Sequence, residues 1–164
     1  MAGKRSGTQV EYLFRDTGIT VKIRKVSPMV SAEVARAMPD PEPPLQEVDY
    51  GEPKGKVFEK NYADPSYQVI LAEHKQKIFE KLQRTMILRA VEVEGEDWKE
   101  EVAEYRAFMQ DAGVEVKEPN DLIVYIMHIC VGTKEDLEDL IEAITSRSQP
   151  TEKEVDLAKS SFRN

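Results

Sequence analysis

The stretch Asn61–Val93, NYADPSYQVILAEHKQKIFEKLQRTMILRAVEV, decides how the rest of the chain is read. Asp64-Pro65 is a helix start. The Asp64 carboxylate can accept from free backbone N–H groups, and Pro65 suits the first helical position because its missing N–H would be unpaired there. Neither Gly nor Pro follows until Gly95, so the pattern predicts a helix over Pro65–Val91. Tyr67, Leu71, Ile78, Leu82 and Met86 recur on one stripe, widened by Ile70, Phe79, Ile87 and Ala90. Glu73/Lys77 and Glu80/Arg84 sit four apart with the acid first, each pair worth about 0.2–0.5 kcal/mol on a solvated face. At 1.5 Å per residue the helix is about 40 Å long. Other elements have to cover its stripe.

Before this helix, Val10, Tyr12 and Phe14 alternate, Asp16-Thr17-Gly18 signals a turn, and Ile19, Val21 and Ile23 alternate again: a β-hairpin. Two strands alone are marginal in water, so the hairpin needs a third strand or a partner. The sequence predicts that Gln9–Lys25 is an attachment arm outside the helical core. Ser27-Pro28 opens a short helix over Met29–Met38, carrying Val30 and Val34. Pro39–Pro44 is an extended spacer with no helical alternative. Leu45–Tyr50 and Lys56–Lys60 form a weaker second hairpin with Val48, Tyr50, Val57 and Phe58 as its apolar contacts.

After the long helix, Asp97 caps a helix to Asp111, with Trp98, Val102, Tyr105 and Met109 inward and Gly113 as its stop. Asn120 caps Leu122–Val131, which is apolar nearly all round and therefore buried. Thr133 caps Lys134–Ser146, whose core face is Leu137, Leu140, Ile141 and Ile144. Gln149-Pro150 breaks the chain, and Thr151-x-x-Glu154 is a capping box for a last helix with Val155, Ala158 and Phe162. The expected fold class is α+β, mainly α-helical: N-terminal β-hairpins, a bundle of about four helices and a short C-terminal helix. The expected divisions are 1–27, a hairpin arm; 28–60, short helix, Pro-rich spacer and extended segment; 61–147, helical core; and 148–164, C-terminal helix.

The 164 residues are 40% hydrophobic and 33% charged, with a net charge of −8. An acidic chain of this kind argues against nucleic-acid binding, which calls for a basic face. The single cysteine, Cys130, precludes an intrachain disulfide and points to a reducing compartment. The N-terminus lacks the apolar stretch of a signal peptide, and no run is long enough for a membrane span. A cytosolic protein is expected.

Few residues suggest chemistry. His74 and His128 have no Cys, His or carboxylate partner at metal-ligand spacing on their helices, and each reads as a satisfied core histidine. Cys130 lies two residues from His128, so the two point to different sides of a helix and cannot pair. Lys22, Arg24 and Lys25 read as strand-edge cations that discourage aggregation. The expectation is no catalytic, cofactor-binding or metal-binding residue, no cofactor, and no enzymatic activity. Met29, Met38, Met86, Met109 and Met127 are adaptable side chains suited to core filling or to a helix-binding groove.

The order of features carries a resemblance. A β-hairpin leads into Lys25-Val26-Ser27-Pro28-Met29. Pro41-x-Pro43-Pro44-x-x-x-Val48-x-Tyr50-Gly51 follows, then Asn61-x-x-Asp64-Pro65-x-Tyr67 opening a long helix, then Gln149-Pro150-Thr151-Glu152 before a terminal helix. Taken together, from about Val10 to Phe162, this resembles the tail assembly chaperones of tailed bacteriophages. The resemblance implies a protein of the infected host cytoplasm that coats the tape-measure protein, helps recruit major tail-tube subunits and leaves before the virion is complete. A homo-oligomer is compatible; nucleic acid and membrane are not expected partners. The alternative is a structural subunit of a phage tail or neck that pairs through its N-terminal hairpin. A small regulatory or metal-dependent enzyme is a third reading for which no constellation is found.

Overall fold

A computed structural model describes residues 8–148; the expected helix over Thr151–Phe162 lies outside the described residues. In chain order the elements are β1 (Val10–Leu13), β2 (Thr20–Ile23), α1 (Met29–Ala37), β3 (Leu45–Asp49), β4 (Lys56–Lys60), α2 (Pro65–Ala90), β5 (Val91–Glu92), α3 (Asp97–Asp111), α4 (Asp121–Val124) and α5 (Lys134–Ser148), with α4 continuing as a π-helix over Tyr125–Cys130. The class is α+β and mainly helical, as the periodicities predict. Among the described residues, no helix is long and apolar enough to cross a membrane. The chain divides into two compact units. One joins the chain through Val30 to the chain from Gln83 onward; the other is Ser31–Leu82.

In the first unit the N-terminal hairpin is not an arm. β1 pairs antiparallel with β2, and Lys22 and Ile23 of β2 pair in turn with Glu92 and Val91 of β5. The hairpin thus obtains the third strand it needs from the residues that end the long helix. Val91 is β-branched and buried, and it serves the ladder better than a last helical turn. Phe14, Val21 and Ile23 are buried. Thr17 Oγ1 donates to the Cys130 carbonyl at 2.7 Å, and Arg147 Nη2 donates to the Thr8 carbonyl at 2.7 Å, so the hairpin is tied at its turn and at its start. The proposed boundary between a 1–27 arm and a 61–147 core does not describe these contacts.

The helices of this unit follow their caps with two corrections. Glu96, not Asp97, is the N-cap of α3, and it makes no side-chain cap bond; Asp97 and Glu100 instead place negative charge in the first turn. The second concerns the Asn120-capped helix. The Asn120 side chain accepts from Ile123 N at 3.2 Å as expected, but from Tyr125 the bonding widens to the π pattern, seen in Val131 N donating to the Ile126 carbonyl at 2.9 Å. Ile123, Val124, Tyr125, Ile126 and Cys130 are buried there. In α5, Thr133 Oγ1 accepts from Asp136 N at 3.3 Å, while the buried Asp136 carboxylate accepts from Gly132 N at 3.1 Å. Leu140 and Ile144 are fully buried beneath that start.

Candidate functional site

The unit Ser31–Leu82 is built around the first part of α2. Asp64 accepts from Tyr67 N at 2.9 Å, the N-cap that the Asp-Pro pair predicts. The Pro-rich segment then lies along the helix, held at two points. Tyr67 OH donates to the Pro41 carbonyl at 3.2 Å, and His74 Nε2 lies 3.1 Å from the Met38 carbonyl and 3.8 Å from an Asp40 carboxylate oxygen. His74 is therefore a satisfied, half-buried histidine, as its place in the stripe suggests.

That strap covers the stripe incompletely. Leu71, Ile78 and Leu82 are half-buried, and the full burial expected along α2 occurs at its ends, at Tyr67 and at Ile87 and Ala90. Within Ser31–Leu82, Val34 and Tyr67 are the buried apolar side chains, whereas Leu45, Tyr50, Phe58, Tyr62, Val69, Ile70 and Phe79 are exposed. Single exposed apolar side chains are ordinary, but seven exposed against two buried leave this unit a very small core of its own.

The β3–β4 hairpin shows the same imbalance. Its register places Leu45 opposite Lys60, Glu47 opposite Phe58, Val48 opposite Val57 and Asp49 opposite Lys56. Directly opposed residues share a face. Val48, Val57 and Glu59 on one face are half-buried. Leu45, Glu47, Asp49, Lys56, Phe58 and Lys60 on the other are all exposed, Leu45 at 64% and Phe58 at 68%. Lys56 Nζ pairs with Glu47 at 2.6 Å across this outer face. The sheet has two strands and gains no third from the described residues.

The residues weighed for chemistry in the first unit lie apart in role. Cys130 is buried, and burial pushes its thiol up to about 12 and the Tyr125 phenol, with which it hydrogen-bonds, up to about 12. Such a thiol is a poor nucleophile. His128 is exposed rather than in the core: its ring stacks on Tyr105, with Nδ1 3.2 Å from the Tyr105 hydroxyl. The two residues do not meet. Among the described residues no group of His, Cys, Asp and Glu could hold a metal ion. Lys22 pairs with Glu94, and Arg24 Nε donates to the Arg89 carbonyl at 2.7 Å, so the strand-edge cations have structural partners.

Arg84 was expected to pair with Glu80. It instead grips Glu118 through Nη2 at 2.9 Å and Nε at 3.2 Å, and that hydrogen-bonded guanidinium holds the Glu118 carboxyl below its usual range. Of the methionines suited to core filling or to a groove, Met29 is exposed at 56% and Met38, Met86, Met109 and Met127 are half-buried. Met38 belongs to Ser31–Leu82 and the others to the first unit. The sequence reading grouped Val48, Tyr50, Val57 and Phe58 as the apolar contacts of the second hairpin; Tyr50 and Phe58 are exposed, and the outer face was missed. The alternation Leu45, Glu47, Asp49 against Lys56, Phe58, Lys60 was the signal that could have found it. Compared with family models, with curated proteins and with solved structures, the chain matches none.

Proposed function

We propose that this chain is a non-catalytic tail assembly chaperone of a tailed bacteriophage. It works in the host cytoplasm, binds the tape-measure protein and helps bring tail-tube subunits to it. The supporting observation is the make-up of Ser31–Leu82, with Val34 and Tyr67 buried and seven large apolar side chains exposed. A unit so short of core is completed by another polypeptide, and burying each such side chain contributes about 1.5–3 kcal/mol. A long apolar helix that must stay dispersed before assembly is a partner of the matching chemistry. The identity of that partner rests on the sequence resemblance.

Co-production with the tape-measure protein tests the reading. The tape-measure protein is expected to remain in the soluble fraction with the intact chain and to precipitate with an Ile70→Asp/Phe79→Asp variant, both side chains being exposed on α2. Mass spectrometry of purified particles is expected to find the tape-measure protein without this chain. Recovery of the chain in particles at the copy number of a tail component makes it a structural subunit instead. Tape-measure solubility that is indifferent to the chain removes the chaperone reading.

A further inference from the structure

We infer that the outer face of the β3–β4 hairpin is a self-association surface, whose occupant is the same face of a second copy of this chain. The inference rests on reading Ser31–Leu82 as an interaction unit but not on the identity of any phage partner.

The argument is one of charge and register. The exposed face has three rows: Leu45 with Lys60, Glu47 with Phe58, and Asp49 with Lys56. Its acids stand on β3 and its lysines on β4, so the face is neutral in a chain of net charge −8. The repulsion that disperses copies of an acidic protein is therefore weakest here. Two sheets stack face to face about 10 Å apart, with side chains of the inner faces interdigitating.

A two-fold axis parallel to the strands lays β3 of one copy over β4 of the other, row on row. Asp49 then faces Lys56 of the second copy, twice by symmetry. Leu45 faces Lys60 and Phe58 faces Glu47 of the second copy, and because Leu45 and Phe58 occupy adjacent rows on different strands, the four apolar side chains stand diagonally to one another, interleaved with those Lys60 and Glu47 side chains. The other in-plane two-fold, perpendicular to the strands, stacks Phe58 on Phe58 but sets Glu47 against Glu47 and Lys56 against Lys60, so its charge pairs are repulsive. The charge pattern thus selects one arrangement as well as permitting it. Because a five-residue hairpin is small, the contact falls at the low end of interface sizes, below about 1,200 Å², and the dimer is concentration-dependent.

Sedimentation equilibrium of the full chain across a concentration series is the test. The wild type is expected to shift from one chain mass towards two. Lys56→Glu alone sets Asp49 against an acid, and Asp49→Lys alone sets a lysine against Lys56, so each is expected to weaken association at least tenfold. Mixed in equal amounts the two variants restore complementary pairs and are expected to associate. Phe58→Ser removes the apolar contact from a position already exposed and is expected to be monomeric with unchanged circular dichroism. It serves as the check if Asp49→Lys, which loses the Asp49 contact to Gly51 N, fails to fold. A wild type that keeps the mass of one chain up to about 1 mM, the weak limit of ordinary association, overturns the inference. So does a dimer that survives Lys56→Glu and Phe58→Ser. A wild type that stays monomeric yet keeps the tape-measure protein soluble overturns this inference alone.

Discussion

Replacing Phe14 by Ala should lower the melting temperature of the helices of the first unit. Phe14 follows β1, is 0% exposed, and lies edge-on to Tyr12 with ring centroids 5.1 Å apart. Its backbone closes the hairpin turn, with Phe14 N donating to the Ile19 carbonyl at 2.9 Å and its own carbonyl accepting from Gly18 N at 2.9 Å. These bonds survive the substitution, so the loss is one of packing. Truncating a fully buried Phe costs about 3–5 kcal/mol, against a total stability of about 5–15 kcal/mol for a domain. At about 2–4 °C per kcal/mol for a chain of this size, the melting temperature should fall by about 6–20 °C. The helical circular dichroism band is the readout, because it reports helices that Phe14 does not belong to. Leu13→Ala is the internal control. Leu13 is one residue away on the opposite face, 57% exposed, and its loss should stay within about 0.5 kcal/mol. If Phe14→Ala leaves the helical melt where Leu13→Ala leaves it, the hairpin is a detached arm and the packing argument fails.

Three further outcomes are expected. Gly132→Ala should destabilise by about 1–3 kcal/mol in a denaturant titration, since an added Cβ would lie 2.7 Å from Asp16 Cβ. Glu118 has its folded carboxyl pKa lowered by Arg84, so its contribution is present above the ordinary carboxylate range and lost as pH falls through the depressed folded value. Glu118→Gln should accordingly flatten the acid side of the stability–pH curve, and an acid limb identical to wild type would show that the Arg84 pair is inert. The Cys130 thiol, pushed up to about 12 by burial, should react with a thiol reagent at pH 8.5 at least about a hundredfold more slowly in native than in unfolded protein; equal rates would place Cys130 at the surface.

Much of this molecule is decided locally, and there the residues alone suffice. Asp64-Pro65 starts α2 and Asn120 caps α4, because a carboxylate or amide two or three residues from free N–H groups needs nothing beyond the chain itself. Gly113 stops α3 with φ +78°, a conformation that side chains with a Cβ avoid. The alternation of Val21 and Ile23 correctly marks a buried strand face. Periodicity also tells which side of a helix is apolar, but not how much of that side is covered. Leu82 and Ile87 read alike in sequence, yet one is half-buried and the other fully buried, because coverage depends on which distant segment reaches them.

The tertiary structure decided what depends on partners far along the chain. β5 is two residues long, too short to register as a strand, and it exists because β2 offers unpaired backbone groups beside it. Arg84 leaves its neighbour four residues away for Glu118, thirty-four away, because two parallel hydrogen bonds to one carboxylate outweigh a single solvated contact. The π-helical widening at Tyr125–Cys130 leaves no mark on apolar spacing. The exposed face of β3–β4 is likewise a matter of what is missing: alternation defines two faces, and only the folded chain shows which of them nothing within its unit comes to cover.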